Sequence, residues 1–71
     1  MLAMTIGKAA ALAGVSVATV RYYEEIGLLS AAPRTASNRR TFDETDVQRL
    51  AFIRHGRELG FRINAIRQLL A

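Results

Sequence analysis

Arginine carries most of the positive charge of this chain. Of its 71 residues, ten are Lys or Arg and six are Asp or Glu, for a net charge of +4. Lys8 is the one lysine. A guanidinium donates two parallel hydrogen bonds to a phosphate or to a guanine edge, a geometry that an ammonium group lacks. The composition therefore favours a nucleic acid partner, although acidic membranes and acidic proteins also attract a basic chain.

The residues needed for several other kinds of chemistry are scarce. The chain has no cysteine and one histidine, His55. We therefore expect no disulfide, metal site, bound cofactor or redox centre in this segment, and no enzyme active site. No apolar run approaches the roughly 18 residues of a membrane span, and the start MLAMTIG lacks the features of a signal peptide. The expected setting is cytoplasmic, with no membrane partner.

Residues 6–25, IGKAAALAGVSVATVRYYEE, have the spacing of a helix-turn-helix. This motif needs a small residue where two helices cross and a glycine at the turn, here Ala10 and Gly14. Further positions are expected to be buried, namely Ala9, Ala13, Val15, Val20 and Tyr23. An alanine-rich helical pair with a chance glycine is the alternative.

The second helix of this motif is predicted to present one face to DNA. Successive residues turn by about 100°, so residues opposite the buried face point outward. These are Ala18, Arg21, Tyr22 and Glu25. Ala18 permits close approach, Arg21 can bind a guanine edge or a phosphate, and the Tyr22 hydroxyl can bind a phosphate. Backbone N–H groups at Ser16 to Thr19 add donors at the helix N-terminus. A solvated face without a partner is the alternative.

Residues 30–42, SAAPRTASNRRTF, are predicted to form a wing. Asparagine tolerates positive φ, so residues 36–38 favour a turn, and short strands near 32–35 and 39–42 would complete a β-hairpin. Arg34, Arg39 and Arg40 would then contact the phosphate backbone or the minor groove. A solubilising loop is the alternative.

Residues 43–70 are predicted to form a helical pair. Asp43 is a good N-cap, Asp46 completes a capping box, and Phe42 with Val47 makes a hydrophobic staple. Gly60 ends this third helix. A fourth helix follows near 63–70 without a good cap at its start.

Arg54 lies in an apolar stripe of the third helix, on the same face as Leu50. We expect it to contact a phosphate; an internal pair with Glu58, four residues on, is the alternative. Phe52 and Leu59 lie on roughly the opposite face. Because a helix that is apolar on two sides needs two partners, the fourth helix or a second subunit should cover one of them.

Together these elements predict a single domain over residues 1–71. Its class is mainly α: a winged helix-turn-helix of four helices, with a small β-hairpin wing between helices 2 and 3. The parts are the helix-turn-helix at 6–25, the wing at 30–42 and the helical pair at 43–70.

Three stretches carry a family resemblance: IGKAAALAGVSVATVRYYEEIGLL, the wing SNRRTF, and FIRHGRELGF. In them the chain resembles the DNA-binding domain of the MerR (mercury-resistance regulator) family of bacterial transcription regulators. The resemblance covers nearly the whole chain. It implies binding to double-stranded DNA at a near-palindromic promoter operator, as a homodimer in a longer form. It also implies distortion of the DNA, with RNA polymerase as an indirect partner.

The resemblance also assigns DNA contacts by motif position. They are Ser16, Thr19, Arg21, Tyr22 and Tyr23 in the second helix, Arg40 and Phe42 in the wing, and Arg54 in the third helix. The wing departs from the family's Tyr-Arg-x-Tyr, since its last position, Phe42, has no hydroxyl. The family's long dimerisation helix and effector-binding part have no counterpart in these 71 residues.

Two other functions fit parts of the pattern. An excisionase-like architectural protein also bends DNA with a small winged domain, and the short chain favours it, whereas RYYEEIGLL favours the regulator. A protein-interaction module built on a helix-turn-helix scaffold is the alternative from another class.

Overall fold

The helix boundaries follow local features of the sequence. The computed structural model describes residues 3–29 and 40–71. Within these ranges the helices are α1 at Ile6–Ala13, α2 at Val17–Glu25, α3 at Glu44–Glu58 and α4 at Ile63–Leu70. The four predicted helices are therefore confirmed, with ends that agree to within one or two residues.

Side chains cap the first three helices, and the cap of α3 is the predicted one. Thr5 and Ser16 each accept a hydrogen bond from the backbone N–H three residues further on. Asp43 and Asp46 form the capping box, in which each carboxylate accepts the backbone N–H of the other residue at 3.0 Å. Arg62 precedes α4 and supplies no side-chain cap.

The turn between α1 and α2 depends on Gly14. Its φ is 75°, in the left-handed region where a Cβ is unfavourable. There is also little room, since a Cβ at this position would lie 3.2 Å from Nε of Arg54. Both the backbone angle and the packing therefore require glycine here.

The hydrophobic core lies where α1 packs against α2 and α3, and α4 extends it along α3. The buried residues are Ala9, Ala10, Ala13, Val20, Tyr23, Leu28, Leu29, Phe42, Leu50, Ile53 and Ile66. They include the predicted inner face of the helix-turn-helix, against which Val15 packs half-buried. Gly56 lets α4 come close, because a Cβ there would lie 3.1 Å from Cδ1 of Ile66.

The predicted wing falls largely outside the described residues, and so do Arg34 and Arg39. Residues 3–29 and 40–71 contain no strand, so the β-hairpin between α2 and α3 stays a prediction. An isolated antiparallel bridge joins Met4 and Phe42, with N···O distances of 2.8 and 2.9 Å. It holds the beginning of the chain against the segment that leads into α3.

One apolar side of α3 remains exposed. Phe52 is 44% exposed and Leu59 is 78% exposed. α4 packs against α3 at Gly56, where Ile66 is buried, and Gly56 shares this face of α3 with Phe52 and Leu59 by helical spacing. α4 therefore covers the middle of the face and leaves Phe52 and Leu59 with these exposures. In the part of the chain that the structure describes, no helix is long and apolar enough to cross a membrane.

Candidate nucleic-acid interface

The outward face of α2 is polar and open to solvent. Ala18, Arg21 and Glu25 are exposed, and Tyr22 is 50% exposed. Arg21 forms no hydrogen bond or ion pair within residues 3–29 and 40–71, even with Glu25 one turn further on. The guanidinium at the centre of this face is therefore available to an external anion.

The N-terminus of α2 offers backbone donors beside this face. Ser16 Oγ accepts from the Thr19 N–H at 3.0 Å and donates to Thr19 Oγ1 at 2.8 Å. The N–H groups of Val17 and Ala18 have no hydrogen bond among the described residues. First-turn N–H groups carry the positive end of the helix dipole, so they attract anions.

A cleft of about 360 Å³ lies between α2 and the junction of α3 with α4. It is lined by Ala18, Thr19, Tyr22, Tyr23, Arg57 and Ile63. Arg57 is exposed and donates from Nη1 to the Phe61 carbonyl oxygen at 2.9 Å, which holds a positive group across from α2. Neither Arg57 nor Ile63 was a predicted site residue. The available sequence signal for Arg57 was its place in FIRHGRELGF.

Tyr23 is a core residue whose hydroxyl still reaches the surface. Its side chain is 7% exposed, and its ring lies tilted against Tyr22 with 5.8 Å between the ring centroids. The hydroxyl forms no hydrogen bond with the described residues. Among these residues no fully buried polar side-chain atom lacks a partner, so the hydroxyl is accessible. A DNA contact of Tyr23 stays a prediction, and it would have to use the small exposed part of this side chain.

Arg40, predicted to contact phosphate, points into the protein, with 7% of its side chain exposed. Nε donates to Oε2 of Glu24 at 2.6 Å, and Nη1 lies 3.4 Å from Oδ2 of Asp46. Nη1 also donates to the Thr41 carbonyl oxygen, and the guanidinium carbon stands 3.9 Å from the centroid of the Phe42 ring. The two acidic partners lie 16 and 6 residues away in sequence, outside any helical spacing that local patterns reveal.

Phe42, predicted to contact DNA, is instead placed in the hydrophobic core, with 1% of the residue exposed. A DNA contact of Phe42 stays a prediction that its burial does not favour. Val47 packs half-buried against the same core, in agreement with the predicted staple at the start of α3.

Arg54 forms the internal pair with Glu58 that was the alternative to a phosphate contact. Nε donates to the carbonyl oxygen of Ala13 at 3.0 Å, and Nη1 lies 3.1 Å from both carboxylate oxygens of Glu58. The side chain is 33% exposed. A phosphate contact of this arginine stays a prediction, and it would have to coexist with both internal partners.

Comparison with known proteins identifies close relatives. The model of the MerR HTH family regulatory protein matches residues 4–71. The HTH-type transcriptional regulator HmrR of Sinorhizobium medicae is 53% identical over 68 residues, which make up 96% of this chain and 46% of that protein. The chain thus spans about half the length of the curated relatives that it matches.

Two solved structures share the fold. The transcription regulator PbrR691 from Ralstonia metallidurans, in complex with lead(II), matches with a TM-score of 0.87 and 45% identity over 94% of this chain and 52% of its own. HiNmlR, a MerR family regulator lacking the sensor domain and bound to promoter DNA, matches with a TM-score of 0.89 and 29% identity, over 97% and 52%. The lead ion has no fitting site in the described part of our chain, where no three His, Cys, Asp or Glu side chains cluster.

Proposed function

Because this chain belongs to the MerR HTH family of regulatory proteins, we propose that it binds promoter DNA as part of a bacterial transcription regulator. The observation that carries the proposal is the exposed face of α2, with the unpaired Arg21 guanidinium at its centre. The fold shared with HiNmlR, which was solved on promoter DNA, supports it.

In the proposed complex α2 enters the major groove. Arg21 binds a guanine edge or a phosphate, and Ala18 permits close approach of the helix to the bases. The free N–H groups at the start of α2 and the Tyr22 hydroxyl bind phosphates on one side of the groove. The cleft beside α2 accommodates the other phosphate strand, next to Arg57 and the Tyr23 hydroxyl.

Two of the remaining predicted contacts, Arg34 and Arg39, belong to the segment proposed to form the wing. There they would add phosphate or minor-groove contacts. Arg21 is the only described side chain on the α2 face with two-pronged donors for a base edge. DNA shape and deformability should therefore supply much of the selectivity.

The longer form is proposed to act as a cytoplasmic homodimer on a near-palindromic operator. It would distort the promoter and so affect RNA polymerase indirectly. The exposed apolar residues Phe52 and Leu59 on α3 support a covering subunit. We propose neither a cofactor for this segment nor an enzymatic step, in keeping with relatives that are named as transcriptional regulators.

Selection of duplexes from random sequence by the immobilised chain, followed by footprinting on the matching genomic region, tests this function. One near-palindromic site across a promoter spacer is the expected result. Clustered repeats at a recombination site would support the excisionase-like alternative instead. If no duplex is enriched and Arg21→Ala leaves the residual binding unchanged, the protein-interaction alternative replaces DNA binding.

A further inference from the structure

A charged cluster connects the end of α2 with the beginning of α3. Arg40 lies at its centre, between Glu24 on α2 and Asp46 on α3, at 2.6 and 3.4 Å. The arginine side chain is 7% exposed, and its acidic partners are 24% and 15% exposed. The cluster is therefore largely shielded from solvent, where ion pairs are screened less than at the surface.

Asp46 and Arg40 each make a further contact outside the ion pairs. Oδ2 of Asp46 accepts the backbone N–H of Asp43 at 3.0 Å, so the carboxylate that completes the capping box of α3 also faces Arg40. The guanidinium lies over the buried Phe42 ring, 3.9 Å from its centroid, in cation–π geometry. To reach a phosphate, Arg40 would have to give up these contacts and leave Glu24 without its partner.

Glu24 lies directly after Tyr23 and one turn beyond Arg21, on the helix that carries the proposed contact face. Holding Glu24 from the start of α3 fixes how α2 is rotated and tilted relative to the rest of the domain. We propose that Arg40 is a positioning residue for α2, which orients the recognition face through Glu24 and Asp46 and binds no phosphate itself. This inference rests on the proposed DNA-binding function.

The two roles predict different dependences of DNA affinity on salt. A side chain that neutralises a phosphate releases counterions. Its loss therefore makes the negative slope of log affinity against log salt shallower by about 0.9. A positioning residue changes affinity without changing the number of phosphates bound. Its loss therefore lowers the affinity by the same factor at every salt concentration and leaves the slope unchanged.

The first experiment measures binding of a fluorescein-labelled duplex, selected by the chain itself, over a series of salt concentrations. The variants are Arg40→Gln, Glu24→Gln and the pair together. We expect each single change to weaken binding roughly tenfold at an unchanged slope, within the range of coupling between contacting side chains. The double variant should bind no worse than either single one, since all three remove the same ion pair.

Glu25→Gln is the matched control. It removes the same negative charge from the next residue of α2, where Glu25 is exposed and has no partner among the described residues. Because Glu25 lies on the proposed contact face, loss of its negative charge should tighten binding to the duplex, opposite to the effect expected of Glu24→Gln. If Glu24→Gln also binds more tightly and Arg40→Gln has a shallower slope, Arg40 is a phosphate contact and the proposal is overturned.

An NMR measurement on the unchanged chain keeps the test independent of variant folding. The Arg40 Nε–H signal should stay in place when duplex is added, while the Arg21 Nε–H signal shifts. Equal shifts of both signals would overturn the proposal.

If the unchanged chain binds no duplex, the proposed function fails. Amide shifts in free Glu24→Gln then decide the positioning role: they extend along residues 17–25 if Arg40 orients α2, and stay beside residue 24 if it does not.

Discussion

Arg54 on α3 donates from Nε to the carbonyl oxygen of Ala13 at 3.0 Å, across 41 residues of sequence. Ala13 is the last residue of α1, where carbonyl groups lack a partner within the helix. The same guanidinium packs against Gly14, whose hypothetical Cβ would lie 3.2 Å from Nε. The turn of the helix-turn-helix is thus held by the third helix and not only by its own two helices.

Replacing Arg54 with alanine should lower the free energy of unfolding by about 1–3 kcal/mol, because the Ala13 carbonyl loses its charged donor. Urea unfolding without DNA measures the loss. Glu58→Gln is the control, since it weakens only exposed contacts, with Arg54 (side chains 33% and 58% exposed) and with His55, and should cost less than about 1 kcal/mol. Equal losses in both variants would show that the ion pair matters more than the bond to Ala13.

Gly14→Ala should destabilise the domain by about 1–3 kcal/mol, because alanine would be forced to a φ of 75° beside Arg54. Gly7→Ala should instead stabilise it by about 0.5–1 kcal/mol. Gly7 lies in α1, and the nearest atom to an added Cβ is Thr5 Oγ1 at 4.0 Å. Thermal unfolding of the two variants compares them directly, and a change of the same sign in both would contradict the role assigned to Gly14.

Arg21→Ala should weaken binding to a selected duplex by about 1–3 kcal/mol and have a smaller effect on a scrambled duplex, if the side chain binds a base edge. Its thermal stability should not change, since Arg21 is exposed and unpaired among the described residues. Arg67→Ala removes the same charge from α4, beside Gly27 and away from the start of α2, and serves as the control. Equal losses on both duplexes would make Arg21 a backbone contact.

Tyr23→Phe removes only the hydroxyl at the edge of the cleft. Because this hydroxyl has no partner in the described part of the chain, stability should change by less than about 0.5 kcal/mol. DNA affinity should fall by about 1.5–3 kcal/mol, the contribution of a hydrogen bond to a charged phosphate, without a change in salt slope because the hydroxyl itself carries no charge. Fluorescence anisotropy of a labelled duplex measures the affinity and its salt slope, and thermal unfolding measures the stability. Unchanged affinity would remove the cleft from the proposed interface.

Asp43→Ala should cost about 0.5–2 kcal/mol of stability, because the N–H of Asp46 loses its cap at the start of α3. Asp43→Ser keeps an acceptor at the same place and should stay close to the unchanged chain. Circular dichroism during urea unfolding follows the helix content of both variants. A serine variant as unstable as the alanine variant would indicate that the negative charge, and not the cap, is what α3 requires.

The helices and their ends were predictable because their causes are local. Thr5, Ser16 and Asp43 precede apolar runs at cap spacing, and glycine at position 14 suits a left-handed residue. Helical periodicity likewise separated the buried Val20 from the exposed Arg21 on α2. These features depend on residues within one or two turns of each other, so the linear order of the chain contains them.

The roles of the arginines were not predictable in the same way. Arg21 is unpaired among the described residues, whereas Arg40 and Arg54 are engaged within the protein. Their side chains are chemically identical. Glu58 lies four residues from Arg54 and was the predicted alternative partner, but Glu24 lies 16 residues from Arg40 and Ala13 lies 41 residues from Arg54. The cleft with Arg57 likewise exists only where three helices meet.

Local patterns were therefore sufficient for the helices, the caps and the outward face of α2. Which of these arginines stay free of internal partners was decided by packing, because burial and pairing depend on contacts between distant segments.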